Sequence, residues 1–271
     1  MGGLRTPVLL TARILTVVTA ILLGLVISPS PDLLADGGPM ILSLGDDSYV
    51  TWSEVESRTS AVVRRELGDS PLTAFSVVVL SNVSYDNLPE AVRDGLAGYL
   101  TLGGSLLVSG GKQSYGSGGY AGTALADLLP LKPSRDDFGY SPYGPTLLLQ
   151  PMHPILQGVT LPPMGYFNEL ELNSGAVEIA QYRKGSKAAF TDGRDHRGVE
   201  VGGGGRRPMP LIAERSLGQG AILAIAIDMA LPMDKDVWKD RERFAQNCIE
   251  YLLQRSRIEP VRKSGEPILE R

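Results

Sequence analysis

Three short apolar runs set the strongest limit on how this chain folds. MILSLGDD from Met40, FSVVVLSNVS from Phe75 and SLLVSG from Ser105 are each a few residues long and are stopped by Gly, Asn, Asp or Ser. Runs of that length and composition read as buried strands between turns. The segments between them carry helical periodicity instead. TWSEVESRTSAVVRREL puts Trp52, Val55, Thr59, Val62 and Val63 on one helical face, with Thr51 or Ser53 as its cap. Leu88 to Leu102 likewise turns Val92, Leu96 and Leu100 toward a sheet. Strand, helix and strand in close succession form a βαβ unit, with parallel strands and a right-handed crossover.

The rest of the main domain reads more as β structure. Residues 132–145 are rich in Pro, Gly, Ser, Tyr and Asp and are expected to form a surface loop before the apolar TLLLQ. PMHPILQGVTLPPMGYFNELEL is expected to be extended, with His153 directly before Pro154. AVEIAQY and KAAFTD, joined by RKGS, have hairpin spacing. PLIAERSLGQGAILAIAID reads as a second hairpin turning at Gly218-Gln219-Gly220, with Asp228 at the carboxyl end of its last strand. A helix from Asp236 to Arg255, buried along Val237, Phe244, Cys248, Tyr251 and Leu252, closes the domain.

Length and composition are those of one large α/β domain: 271 residues, 43% hydrophobic and 21% charged. A net charge of -4 argues against nucleic acid as a partner, and the short basic clusters at Arg206, Arg207 and Arg255 to Lys263 read as solvated surface. Cys248 is the single cysteine, which excludes an internal disulfide and a cysteine-based zinc site. With only His153 and His196 besides, no metal centre or cofactor is expected.

Ahead of the domain, Arg5 and Arg13 precede the uncharged run Ile14 to Ser28, and prolines and aspartates follow it. As a helix the run is about 22 Å long, which suits a cleavable signal peptide. Counted from residue 8 to residue 28 it reaches the length of an uncleaved membrane anchor. The expected organisation is residues 1–38 as signal peptide or anchor plus linker, 39–255 as the domain, and 256–271 as a polar tail. The charge order places the domain outside the cytoplasm, anchored to the cytoplasmic membrane or, after cleavage, secreted or periplasmic.

The candidate site is the glycine-rich stretch Gly103 to Gly122, GGSLLVSGGKQSYGSGGYAG, which joins the third strand to the helix-like GTALADLLP. Ligands of open α/β sheets bind at such carboxyl ends of strands. Gly110, Gly111, Lys112, Gln113, Ser114 and Tyr115 are therefore candidate ligand-binding residues, joined by His153 and Glu169 from the later segment. Backbone donors with Lys112 suit a phosphate, although the spacing of a nucleotide loop is absent. Asp46, Asp47 and Asp228 fall at strand ends, where they serve either as turn caps or as a site for a hard cation.

The stretch from Phe75 to Leu131, above all GGSLLVSGGKQSYGSGGYAGTALADLLPL, resembles the membrane-associated domains of the class I glutamine amidotransferase-like superfamily. HPILQGV with NELEL is similar to a segment of its trehalose-utilisation, ThuA-like branch. The resemblance implies a three-layer, flavodoxin-like sandwich with a mostly parallel central sheet and an antiparallel C-terminal extension. It also implies a cysteine nucleophile at a strand-to-helix elbow. That position falls near Gly110, which has no side chain, and Cys248 sits on the apolar stripe of the last helix. The expected function is thus non-catalytic: a membrane-side domain that binds a protein partner or a small polar ligand. The alternatives are a ThuA-like enzyme using residues other than cysteine, such as Ser109, Ser114 or Ser117 with His153 and Glu169 or Glu171, and a structural subunit of a membrane complex.

Overall fold

The computed structural model describes residues 37–134, 136–183, 208–231 and 238–259. Both the N-terminal apolar run and the polar end of the tail lie outside them, as do KAAFTD, His196, Arg206 and Arg207.

The first three runs become the strands that the sequence predicts. β1 (Met40–Gly45), β3 (Val77–Ser81) and β4 (Ser105–Ser109) pair in parallel in the order β1, β3, β4. Every residue of β3 and β4 is buried, as expected for strands covered on both faces. The first helix is shorter than its periodicity suggests. α1 (Trp52–Thr59) stops at Ser60, which takes the left-handed conformation at φ 55 and returns its N–H to the Glu56 carbonyl. Val62 and Val63, expected on the helix, instead open β2 (Val62–Arg64), which lies parallel to β1 on its far side. Two adjacent valines favour a strand, and a three-residue edge strand satisfies them with little burial. The second helix follows its periodicity closely: α2 (Glu90–Thr101) buries Val92, Leu96, Tyr99 and Leu100.

After the short α3 (Ala124–Leu128) and β5 (Leu131–Lys132), the expected surface loop turns out to be ordered. β6 (Phe138–Gly144) runs antiparallel to β8 (Met164–Asn168), with Phe138 opposite Asn168. TLLLQ supplies β7 (Thr146–Leu148), and a 3-10 turn at Pro154–Leu156 interrupts the expected extended segment. β9 (Glu171–Leu172) pairs with β5. The AVEIAQY strand, β10 (Val177–Tyr182), pairs with β11 (Met209–Leu217) on one edge and, at residues 180–182, with β7 on the other, while the KAAFTD half of the expected hairpin lies outside the described residues. The second hairpin forms as read: β11 turns through Gly218 into β12 (Gly220–Ile225), whose six residues are all buried.

These strands make an eight-stranded sheet ordered β2-β1-β3-β4-β12-β11-β10-β7. β12 joins β4 in parallel, so the first five strands are parallel and the remainder antiparallel. Numbered along the parallel part alone, the order is that of a flavodoxin-like sheet, and helices on both faces complete a three-layer α/β sandwich. α4 (Arg241–Arg255) and α1 share one face, tied by a 2.8 Å ion pair between Arg58 and Glu250. α4 begins at Arg241, later than expected, and buries Phe244, Ala245, Gln246, Cys248, Ile249 and Leu252, while Tyr251 stays half-buried.

Cys248 is fully buried, and burial pushes its thiol well above the ordinary value. A thiol-specific chromogenic reagent should therefore react with it only at the rate of global unfolding. Labelling of native protein within seconds, with no change under mild denaturant, would contradict this packing.

Candidate functional site

β4 delivers the chain to Gly110 at the carboxyl end of the sheet, beside the point where the strand order reverses between β1 and β3. Gly110 donates its N–H to the Ile227 carbonyl at 3.0 Å. A Cβ built there would lie 2.1 Å from the Ala226 carbonyl oxygen and 2.8 Å from Asn168 Oδ1. The place where the amidotransferase resemblance would put a nucleophile is thus closed to any side chain by backbone. Gly111 is similarly confined: its φ is 139, and a Cβ would come within 2.3 Å of Asn82 Oδ1.

The loop is held by residues outside it. Asn168, fully buried at the end of β8, accepts from Gly111 N–H at 2.9 Å and donates through Nδ2 to Asp137 Oδ1 at 2.9 Å. Asp137 lies just before β6, and its carboxylate accepts from Gly116 N–H at 2.9 Å, Ser117 N–H at 3.2 Å and Ser134 N–H at 3.3 Å. Asn82, after β3 and itself left-handed at φ 43, accepts from Gln113 N–H at 2.9 Å. Burial raises the Asp137 carboxyl above its ordinary value, and the hydrogen bonds from Asn168, Gly116, Ser117 and Ser134 oppose that rise. Successive N–H groups converging on one carboxylate form an anion nest. Here the chain's own Asp137 fills it, which removes the donors on which the phosphate expectation rested.

The candidate residues divide accordingly. Ser114 is fully buried and donates to the Ser109 carbonyl at 2.7 Å. Tyr115 is fully buried at φ 51, and its hydroxyl points into the sheet toward the carbonyls of Ile225 at 3.1 Å and Val108 at 3.3 Å. Both are packing residues, as Gly110 and Gly111 are close-approach residues, so none of the four presents a side chain at the surface. Lys112 and Gln113 are exposed. Lys112 also lines an open hollow of about 500 Å³ together with Gly116, Ser117, Asp136 and Phe138.

His153 and Glu169 do not join the loop as a catalytic pair. His153 is buried with a carboxylate, but that carboxylate is Glu214 of β11, 3.5 Å from Nε2. Its Nδ1 accepts from Ile155 N–H at 3.4 Å, which leaves the proton on Nε2, and its ring packs against Tyr251 of α4 at 4.9 Å. The Tyr251 hydroxyl also donates to Glu214 at 2.6 Å. Glu169 is exposed, with its N–H on the Asp137 carbonyl at 2.7 Å. The strand-end aspartates do not gather into a cation site: Asp46 lies near enough to Asp228 for its charge to raise that carboxyl, but each of the other two is engaged by the chain itself. Asp47 is taken by Ser43, by Trp52 Nε1 at 2.9 Å and by Arg65, while Asp228 caps its own turn through the N–H groups of Ala230 and Leu231. Among the described residues no cluster of His, Cys, Asp and Glu is suited to a metal.

Asp137, Asn168 and Asn82, which shape the site, carried no mark in the sequence. Asp137 lay in a segment that composition assigns to the surface, and Asn168 stood next to the more conspicuous Glu169.

No family model matches this chain, and no curated protein matches it. Among solved structures it is similar to two cytoplasmic proteins from Salmonella typhimurium. One, at 16% identity and a TM-score of 0.57, covers 78% of this chain and 98% of that one. The other, from strain LT2, has 17% identity and a TM-score of 0.58, covering 79% and 99%. An exo-beta-1,4-mannosidase from Opitutaceae bacterium strain TAV5 is similar at 11% identity and a TM-score of 0.45, over 80% of this chain and 36% of that one. At these identities the likeness to the Salmonella proteins shows the fold. Both are described as cytoplasmic proteins, which runs against the extracytoplasmic, membrane-anchored expectation; no helix among the described residues is long and apolar enough to cross a membrane.

Two outcomes follow from the site. Asp137→Ala leaves three backbone donors and Asn168 Nδ2 without their acceptor, so chemical denaturation should show a loss on the order of 3 kcal/mol; a loss under about 0.5 kcal/mol would show that the nest is not structural. Glu214 is held below its ordinary value of 4.5, chiefly by the His153 hydrogen bond and against the effect of burial. A carboxylate depressed in the folded state contributes stability above its unfolded value and loses it as pH falls through the folded one. Melting temperatures of Glu214→Gln should therefore fall less steeply below pH 4.5 than those of the parent; superimposable acid limbs would refute the assignment.

Proposed function

We propose that this chain is a non-catalytic domain of the glutamine amidotransferase-like type that acts by binding a small polar ligand or a segment of a partner protein. The observation that carries this reading is Gly110, where backbone from β12's end excludes the side chain that catalysis of that type requires. Among the described residues the candidate serines are engaged elsewhere: Ser114 and Ser117 donate to backbone carbonyls, Ser109 meets Ser81, and His153 is paired with Glu214 rather than with a loop serine. The binding surface is the open hollow beside the loop, with Lys112 on its lining and a rigid backbone beneath. Concave ground at the carboxyl ends of parallel strands, supported by a buried polar network, suits recognition without chemistry.

Ammonia release from glutamine and ester hydrolysis should both stay at background. Activity that disappears in Ser114→Ala or His153→Ala would overturn the reading. A thermal-shift panel of amino acids, peptides, sugars, nucleotides and divalent cations should contain a class that raises the melting temperature. A ligand at a hundred times its Kd stabilises by about 2.7 kcal/mol. Lys112→Ala should weaken that shift while leaving the melting temperature of the free protein unchanged.

A further inference from the structure

We infer that the hollow beside the glycine-rich loop recognises a zwitterion with an apolar body, namely an apolar α-amino acid or a short peptide ending in one. This rests on the reading of that hollow as the binding site. Among the described residues its lining presents one cation, Lys112, one carboxylate, Asp136, and one aromatic ring, Phe138, along with Gly116 and Ser117. Lys112 and Asp136 are both exposed, and they do not pair: the ion pairs among the described residues are Arg58 with Glu250, Arg65 with Asp47 and His153 with Glu214. Two opposite charges on one hollow, more than a contact apart, leave room for a molecule that carries both.

The surroundings decide against other classes. A phosphate or nucleotide needs several donors, but the Gly116 and Ser117 N–H groups already serve Asp137. Among the described residues carboxylates also outnumber Lys112 nearby. Burial raises the carboxyl of Asp228, Asp46 adds to that rise by its charge, and Lys112 opposes it, so these groups share one field. A polyanion would face this excess of negative charge, whereas a zwitterion answers Lys112 with its carboxylate and Asp136 with its ammonium group. A neutral sugar can hydrogen-bond both groups and stack on Phe138, but it neutralises neither charge and so answers the hollow less fully than a zwitterion does. The volume, about 500 Å³, accommodates an aromatic amino acid or a dipeptide.

Isothermal titration of the full chain with L-phenylalanine, glycyl-L-phenylalanine, N-acetyl-L-phenylalanine, L-phenylalanine amide and L-glutamine tests this. At least one of the first two should bind, with the N-acetyl, amide and glutamine ligands each about tenfold weaker or more, since each lacks one of the matched groups. Lys112→Ala should abolish the preference for acid over amide, and Asp136→Asn the preference for free amine over N-acetyl. Equal binding of the blocked ligands, or no binding of either zwitterion, overturns the inference. If a sugar or nucleotide binds instead and Lys112→Ala weakens it, the hollow remains the binding site and only the ligand class is wrong. If nothing in either panel binds, both readings fail together.

Discussion

The carboxylate of Asp137 is where the different parts of this molecule meet. It is buried, it accepts from three backbone N–H groups and the Asn168 amide, and its donors come from the glycine-rich loop, from Ser134 and from β8. A buried charge is tolerated only when its hydrogen-bonding capacity is met, so each of these segments has one permitted position relative to the others. The loop after β4 therefore has a defined shape despite its glycine content. Free glycine-rich backbone adapts to a ligand, whereas this one is fitted to a side chain of its own.

That arrangement differs from the donor sets of α/β enzymes. Enzymes of α/β folds aim converging backbone donors at an anion or an oxyanion. Here the donors converge but are already neutralised, and the strand end that would carry a nucleophile is pressed against the Ala226 carbonyl. What remains exposed is the outer surface of the loop, Lys112 and Gln113, with the hollow beside it. The second polar cluster, His153 with Glu214 and Tyr251, has a different task. It links the 3-10 turn at Pro154–Leu156, the antiparallel strand β11 and the last helix, filling a junction that apolar residues alone would leave without direction.

Much of the architecture was legible because it follows from local pattern. Short apolar runs between turn residues specify buried strands, and the β11–β12 hairpin was readable from Gly218-Gln219-Gly220. Where local pattern allowed two answers, the chain's partners chose. Val62 and Val63 fit a helical stripe equally well, but β1 offered a free edge and Ser60 ended the helix. Residues 138–144 have a loop's composition, yet β8 pairs with them. The site was legible in location only. Its glycine loop was found, whereas its supports at Asn82, Asp137 and Asn168 were not, since their contacts with the loop span 20 to 57 residues of sequence.

The sequence by itself determined the α/β class, the position of the loop at a strand end and the absence of a cysteine there, because periodicity, turn chemistry and residue identity are local properties. Tertiary structure alone decided that His153 belongs to Glu214, that Ser114 and Tyr115 face inward, and that Asp137 occupies the nest. Each of those depends on which strands become neighbours. In a mixed sheet, that choice is made by the joint burial of distant segments, which no single window of residues contains.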